Sequence, residues 1–98
     1  MNEAELNAEL EKCPAERVTE DYIQGRIYGR PKFIRATDTL TICVLTVDNG
    51  FTVTGESACV KAENYNQEIG ESIAYKNAFA KLWAFFGFLL AENGTLKK

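Results

Sequence analysis

Histidine is absent from the 98 residues, and the chain holds two prolines, three cysteines, one methionine and one tryptophan. Without histidine, the commonest general base and the commonest metal ligand are both missing. Three cysteines at irregular spacing, Cys13, Cys43 and Cys59, make neither a disulfide framework nor a zinc site. They read as buried free thiols of a reducing compartment. No serine elbow and no phosphate-binding glycine loop occurs, and a cysteine in "TICVLT" lacks a base to activate it. Catalytic residues, cofactors and metals are therefore not expected. The shortage of one-signed charge excludes more. A net charge of −3 provides no basic footprint for a nucleic-acid backbone, which argues against DNA or RNA as the main partner. No apolar run reaches the roughly 20 residues a membrane span needs, and "MNEAELNAELEK" is acidic where a signal peptide would be basic. The reading is a cytosolic protein with no membrane partner.

What is present is ordinary globular material, 46% hydrophobic and 26% charged, enough for one thin-cored domain over residues 1–98. The first segment, "NEAELNAELEKC", spaces Ala4, Leu6, Leu10 and Cys13 loosely for one helical face before Pro14 interrupts, so residues 1–17 read as a loosely attached helix. "VTEDYIQGRIYG" reads as a short helix with Thr19 as N-cap and Glu20 and Asp21 at the positive end of its dipole, closed by Gly29 and Pro31.

The strongest local signal is "TLTICVLTVDNGFTVTGESACV", two β-prone runs around Asn49-Gly50, the preferred pair for a two-residue type I′ turn. With those two residues as the loop, Val44 faces Gly55, Ile42 faces Ser57 and Leu40 faces Cys59. That register sends Leu40, Ile42, Val44, Phe51, Val53 and Cys59 to the core and leaves Thr41, Cys43, Leu45, Thr52, Thr54 and Glu56 on the other face. Cys43 and Cys59 then diverge. Gly55, facing inward, leaves room for another backbone to approach.

From Asn66 onward the period changes, with Ile69, Ile73, Ala74, Ala78, Leu82 and Trp83 recurring at helical spacing. Asn66 suits an N-cap and Glu68 a first-turn anion. The predicted fold is α+β, with short N-terminal helices, a central antiparallel hairpin and a long C-terminal helix packed on it. Past Trp83 the helix is apolar nearly all round, in "WAFFGFLL". Trp83, Phe85, Phe86 and Phe88 are therefore candidates for a partner or oligomer interface, and a homo-oligomer is expected. Asn93, Gly94 and the last lysines read as a frayed tail.

Two clusters could hold a ligand. "QGRIYGRPKFIR" interleaves Arg26, Arg30, Lys32 and Arg35 with Tyr28 and Phe33, offering guanidinium forks and flat rings to a phosphate or a base, although an exposed connector with solvated charges is the more ordinary reading of such a run. "GESACVKAENYNQEIG" crowds polar groups into the strand-to-helix junction. Capping accounts for Asn66 and Glu68, and it leaves Glu56, Asn64 and Tyr65 unexplained. Glu63, Glu68 and Glu71 read as solvated or dipole-pairing carboxylates, and Lys76 and Lys81 as solvent-facing helix lysines.

The hairpin and helix together, above all "NGFTVTGESACV" followed by "ENYNQEIG" and "LWAFFGFLL", resemble the gp-forty-nine/sixty-six-like family of small tailed-phage accessory proteins over Thr39 to Leu90. The chain departs from the family's pattern where Pro and Asp would stand near Lys61 and Ala62, Asp at Asn66, a basic residue near Glu71 and "LEGY" at "FFGF". The last departure makes the C-terminal surface more apolar, and the missing acid at Asn66 weakens any case for a cation there. The resemblance implies a phage accessory protein of the host bacterial cytoplasm, with no activity assigned to the family as a whole. By analogy with small phage proteins lacking catalytic groups, two binding roles compete. One is counter-defence by sequestering a small anionic, nucleotide-type ligand at Arg26, Tyr28, Arg30, Arg35, Glu56, Asn64 and Tyr65. The other is inhibition of a host protein such as a nuclease or effector complex, through Leu45, Thr52 and Thr54 or through Phe85 to Leu90. A weak enzyme built on Glu56 ranks third.

Overall fold

A computed structural model describes residues 2–11 and 15–97, without the side chains of residues 10 and 11. The expectations for Leu10, Cys13, Pro14 and Lys98 lie outside this description. The architecture is α+β: three helices and a three-stranded antiparallel sheet, the longest helix lying on one sheet face. Helix α1 spans Glu3–Glu11, and the side chains of residues 2–9 are exposed. Helix α2, Glu20–Arg26, starts where predicted, with the Tyr22 N–H donating to the Thr19 hydroxyl at 3.0 Å. It stops three residues earlier than Gly29 would suggest, because Ile27 turns extended and pairs with Val47.

The sheet contains β1 (Lys32–Arg35), β2 (Leu40–Thr46) and β3 (Thr52–Ala58), in the order β1-β2-β3. Strand β1 corrects the sequence reading, which left "PKFIR" in a charged connector. Its alternation is obscured by flanking Arg and Lys, and pairing with β2 is what orders it.

The hairpin register is also corrected. A type I′ turn needs positive φ at both loop residues, and here only Gly50 has it, at 92°. The Gly50 N–H donates to the Val47 carbonyl at 2.9 Å, and the Val47 N–H donates to the Phe51 carbonyl at 2.8 Å. The loop is thus three residues, Asp48 to Gly50. Pairing shifts by one residue, to Cys43 opposite Gly55 and Leu45 opposite Val53. Because side chains alternate, β2 reverses its faces: Thr41, Cys43, Leu45 and Val47 are buried, while Leu40, Ile42 and Val44 are half-buried on the other side. Strand β3 keeps the predicted inward set, Val53, Gly55 and Ser57. Phe51, expected in the core, is exposed.

Helix α3 runs Gln67–Asn93, about 40 Å at 1.5 Å per residue. Its cap is the predicted one, the Asn66 side chain accepting from the Ile69 N–H at 3.1 Å. The helix crosses β2 and β3 on the face carrying Gly55. A Cβ at Gly55 would lie 2.1 Å from the Ala78 nitrogen and 2.3 Å from the Ala74 carbonyl oxygen, so the close approach expected from this glycine is real. Ala74, Ala78, Leu82 and Phe86 form the core with Ile23 of α2, Cys43, Leu45 and Val53. Ile69 and Ile73, expected inside, are 58% and 45% exposed, because the buried stripe follows the alanines pressed against Gly55, and Trp83, a candidate for a partner surface, is 42% exposed. The chain end is not frayed through Leu96, which is buried and donates its N–H to the Glu16 carboxylate at 3.1 Å. Cys43 beneath α3 and Cys59 just past β3 are both free thiols.

Candidate functional site

Tyr65 follows the 3-10 turn of Ala62–Asn64 and stands just before α3. Its hydroxyl lies 3.0 Å from the hydroxyl of Thr41, a buried polar side chain of β2. Room for this pair comes from Gly70, where a Cβ would meet Thr41 Oγ1 at 3.3 Å. Across the ring of Tyr65 lies the Arg35 guanidinium, 3.8 Å from the centroid, held at the end of β1 by donation from Nη2 to the Asp38 carbonyl at 2.9 Å. Stacking occupies the guanidinium face and leaves edge donors for a further acceptor.

Phe33, Arg35, Thr41, Tyr65, Gln67 and Glu71 line a cavity of 270 Å³ at this point. The Gln67 amide donates to the Glu71 carboxylate at 3.1 Å, orienting that acid within the lining. A smaller cavity of 130 Å³ lies on the other side of Tyr65, where Asn64 and Asn66 meet the end of β3. The backbone start of α3, with its positive dipole end, adjoins both.

Folding splits the arginine cluster. Arg26 is a structural residue: its Nε donates to both Asp48 carboxylate oxygens at 2.8 and 2.9 Å, its Nη1 donates to the Tyr22 hydroxyl, and its charge sits 5.1 Å from the Phe86 ring centroid. Burial lowers its pKa, but the Asp48 and Tyr22 contacts outweigh that and leave it above the ordinary arginine value. Tyr28 is 71% exposed and Arg30 is exposed, away from the cavity lining. Glu56 is exposed on β3, and only its backbone carbonyl is engaged, by the Asn77 amide at 2.8 Å. Of the seven candidate ligand residues, Arg35 and Tyr65 meet, Asn64 neighbours them, and Arg26, Tyr28, Arg30 and Glu56 lie elsewhere. Thr41, Gln67 and Glu71 were missed. Thr41 was hidden by the register error, Glu71 read as a solvated or dipole-pairing carboxylate near the helix start, and Gln67 was not singled out.

A second concave surface lies near the other end of α3. Val47, Phe51, Leu82, Phe85, Phe88 and Leu89 are among the residues lining an apolar groove of 210 Å³, with the Phe51 and Phe85 rings edge to face at 5.1 Å. Phe85 and Phe88 are 48% and 69% exposed, whereas Phe86 is core. Among the described residues no group of three or more His, Cys, Asp or Glu side chains could hold a metal, and no helix is long and apolar enough to cross a membrane.

The model of the family described as "Phage protein (N4 Gp49/phage Sf6 gene 66) family" matches residues 15–93. The chain belongs to this phage protein family. The matched span begins after α1 and contains the sheet, α2, α3 and every residue lining the two cavities at Tyr65. No curated protein and no solved structure matches the chain.

Proposed function

We propose that this phage protein acts by binding without turnover, taking up a small anionic, nucleotide-type ligand in the host cytoplasm and so countering a host defence signal. The observation that carries the reading is Arg35 stacked on Tyr65 at a polar cavity beside the start of a 27-residue helix. The guanidinium edge and helix end suit a phosphate, and the Tyr65 ring suits a base or sugar. Glu71 favours a ligand that also carries N–H or O–H donors, as nucleotides do and inorganic phosphate at neutral pH does far less. A cavity of 270 Å³ is small for a whole dinucleotide, so one nucleotide unit would be engaged per chain.

Calorimetry against linear and cyclic nucleotides, with inorganic phosphate as a control, tests this. Micromolar binding lost in Arg35→Ala and Tyr65→Ala but kept in Arg30→Ala is expected. Absence of binding across the panel would remove the proposal. A second reading, inhibition of a host protein, draws on the apolar groove of Phe51, Phe85 and Phe88. Phe88→Ala then abolishes recovery of one stoichiometric host protein while leaving nucleotide binding intact. Phe88 is the better probe than Phe86, whose truncation would damage the core.

A further inference from the structure

We infer that the helix-free face of the sheet is a surface through which two copies of this chain associate. Helix α3 covers one face of β2 and β3, and among the described residues no helix makes more than sparse contact with the other. On that open face lie Ile34 of β1 and Leu40, Ile42 and Val44 of β2, with Ile34 40% exposed and the other three half-buried. A central strand apolar on both faces is the pattern of a strand covered on both sides, whereas an antiparallel sheet left wet on one face alternates. Strand β2 therefore has an unmatched apolar row. Strand β3 beside it alternates normally, presenting Thr52, Thr54 and Glu56 outward.

The occupant is argued from charge. Among the described strand residues, those on the open face include one cation, Lys32 on β1, and one anion, Glu56 on β3, at opposite edges of the apolar centre. Both are exposed. A twofold axis running along β2 lays β1 of one copy over β3 of the other, so the cationic edge of each meets the anionic edge of its mate. Lys32 pairs laterally with Val44 and Thr54, and Glu56 with Ile42 and Ile34. After the twofold operation, Lys32 stands about 7 Å along the strand from Glu56 of the second copy, at two residues of strand rise, within reach of a lysine side chain. Sheets packed face to face about 10 Å apart leave the apolar centres in contact. An apolar centre with a charged rim matched by its own symmetry mate is what an isologous interface requires. The groove at Phe85 and Phe88 is lined by no charged side chain, so nothing there selects a second copy.

Sedimentation velocity of the full chain over a concentration series tests the inference. The native chain is expected to dimerise reversibly. Lys32→Glu and Glu56→Lys each convert two symmetry-related attractions into repulsions, and each should raise the dissociation constant on the order of tenfold. The double variant Lys32→Glu/Glu56→Lys restores opposite charges across the axis and should recover native affinity. Both side chains are exposed, so circular dichroism should show all three variants folded. A native chain that stays monomeric, single reversals that leave the dimer unchanged, or a double variant no tighter than the singles would each overturn the inference. Dissociation by Phe88→Ala with no effect of Ile42→Lys would overturn it too.

Discussion

Replacing Gly55 by alanine is the sharpest test of the packing that positions everything else. The added Cβ would sit 2.1 Å from the Ala78 nitrogen, 2.3 Å from the Ala74 oxygen and 2.8 Å from the Ala78 Cα. All three are helix backbone atoms, which cannot rotate away as a side chain would. To reach ordinary contact, α3 must retreat by about 1 Å or more along the face that carries Ala74, Ala78 and Leu82, all fully buried. Overpacking typically costs about 1–3 kcal/mol, and a clash with backbone belongs at the upper end, about 3 kcal/mol. For a domain this size, that lowers the thermal midpoint on the order of 15 °C. Urea and thermal unfolding followed by circular dichroism measure the loss. Gly87→Ala is the control, because nothing lies within 4 Å of its Cβ position inside the C-terminal third of α3 and alanine there should add about 0.5–1 kcal/mol. A Gly55→Ala protein within about 0.5 kcal/mol of native stability would refute the close approach of α3 to β3, since ordinary surface substitutions fall in that range.

Two further outcomes follow from local chemistry. Asn66→Ala removes the acceptor of the Ile69 N–H and should cost about 1 kcal/mol in urea unfolding, whereas Asn66→Ser should recover most of it; equal losses would show that the cap is not the cause. Burial raises the pKa of the Cys43 thiol and of the Tyr75 hydroxyl above their ordinary values. Their neutral forms are favoured in the folded chain, so the stability they contribute is complete at neutral pH and declines as pH rises through the ordinary thiol and phenol ranges. Unfolding midpoints should therefore fall on the alkaline side, with a shallower fall in Cys43→Ala. A stability that rises with alkaline pH would contradict the buried placement, as would alkylation of Cys43 before Cys59 in the native state.

The candidate site was half readable before folding. Tyr65 stood out because capping did not need it, and Arg35 stood out as a basic group among aromatics. Their meeting could not be read, because it depends on β1 pairing with β2 so that Arg35 reaches the start of α3, more than thirty residues onward in the chain. The same pairing sends Arg26 to the opposite end, where Asp48 neutralises it. A run of arginines close in sequence is thus two different things in space, Arg26 an anchor in an ion pair and Arg35 a guanidinium stacked on Tyr65 and tied to the Asp38 carbonyl, with edge donors left over.

Features set by short-range physics are legible in residue order: the Thr19 and Asn66 caps, the hairpin, the length of α3, and the inward glycine at position 55. Each involves residues within a turn or two of one another, or a side chain whose absence can only serve close approach. The face assignment of β2 was not legible. Leu40, Ile42 and Val44 are as apolar as Cys43, Leu45 and Val47, so periodicity offers two answers of nearly equal merit. The backbone of the loop, with positive φ at Gly50 alone, and the alternation of Val53 and Gly55 against Thr52 and Thr54 settle the register. That choice buries Thr41 beneath Tyr65 and turns an apolar row to the open side of the sheet. Both the cavity and the association surface are consequences of a one-residue register that only tertiary packing could select.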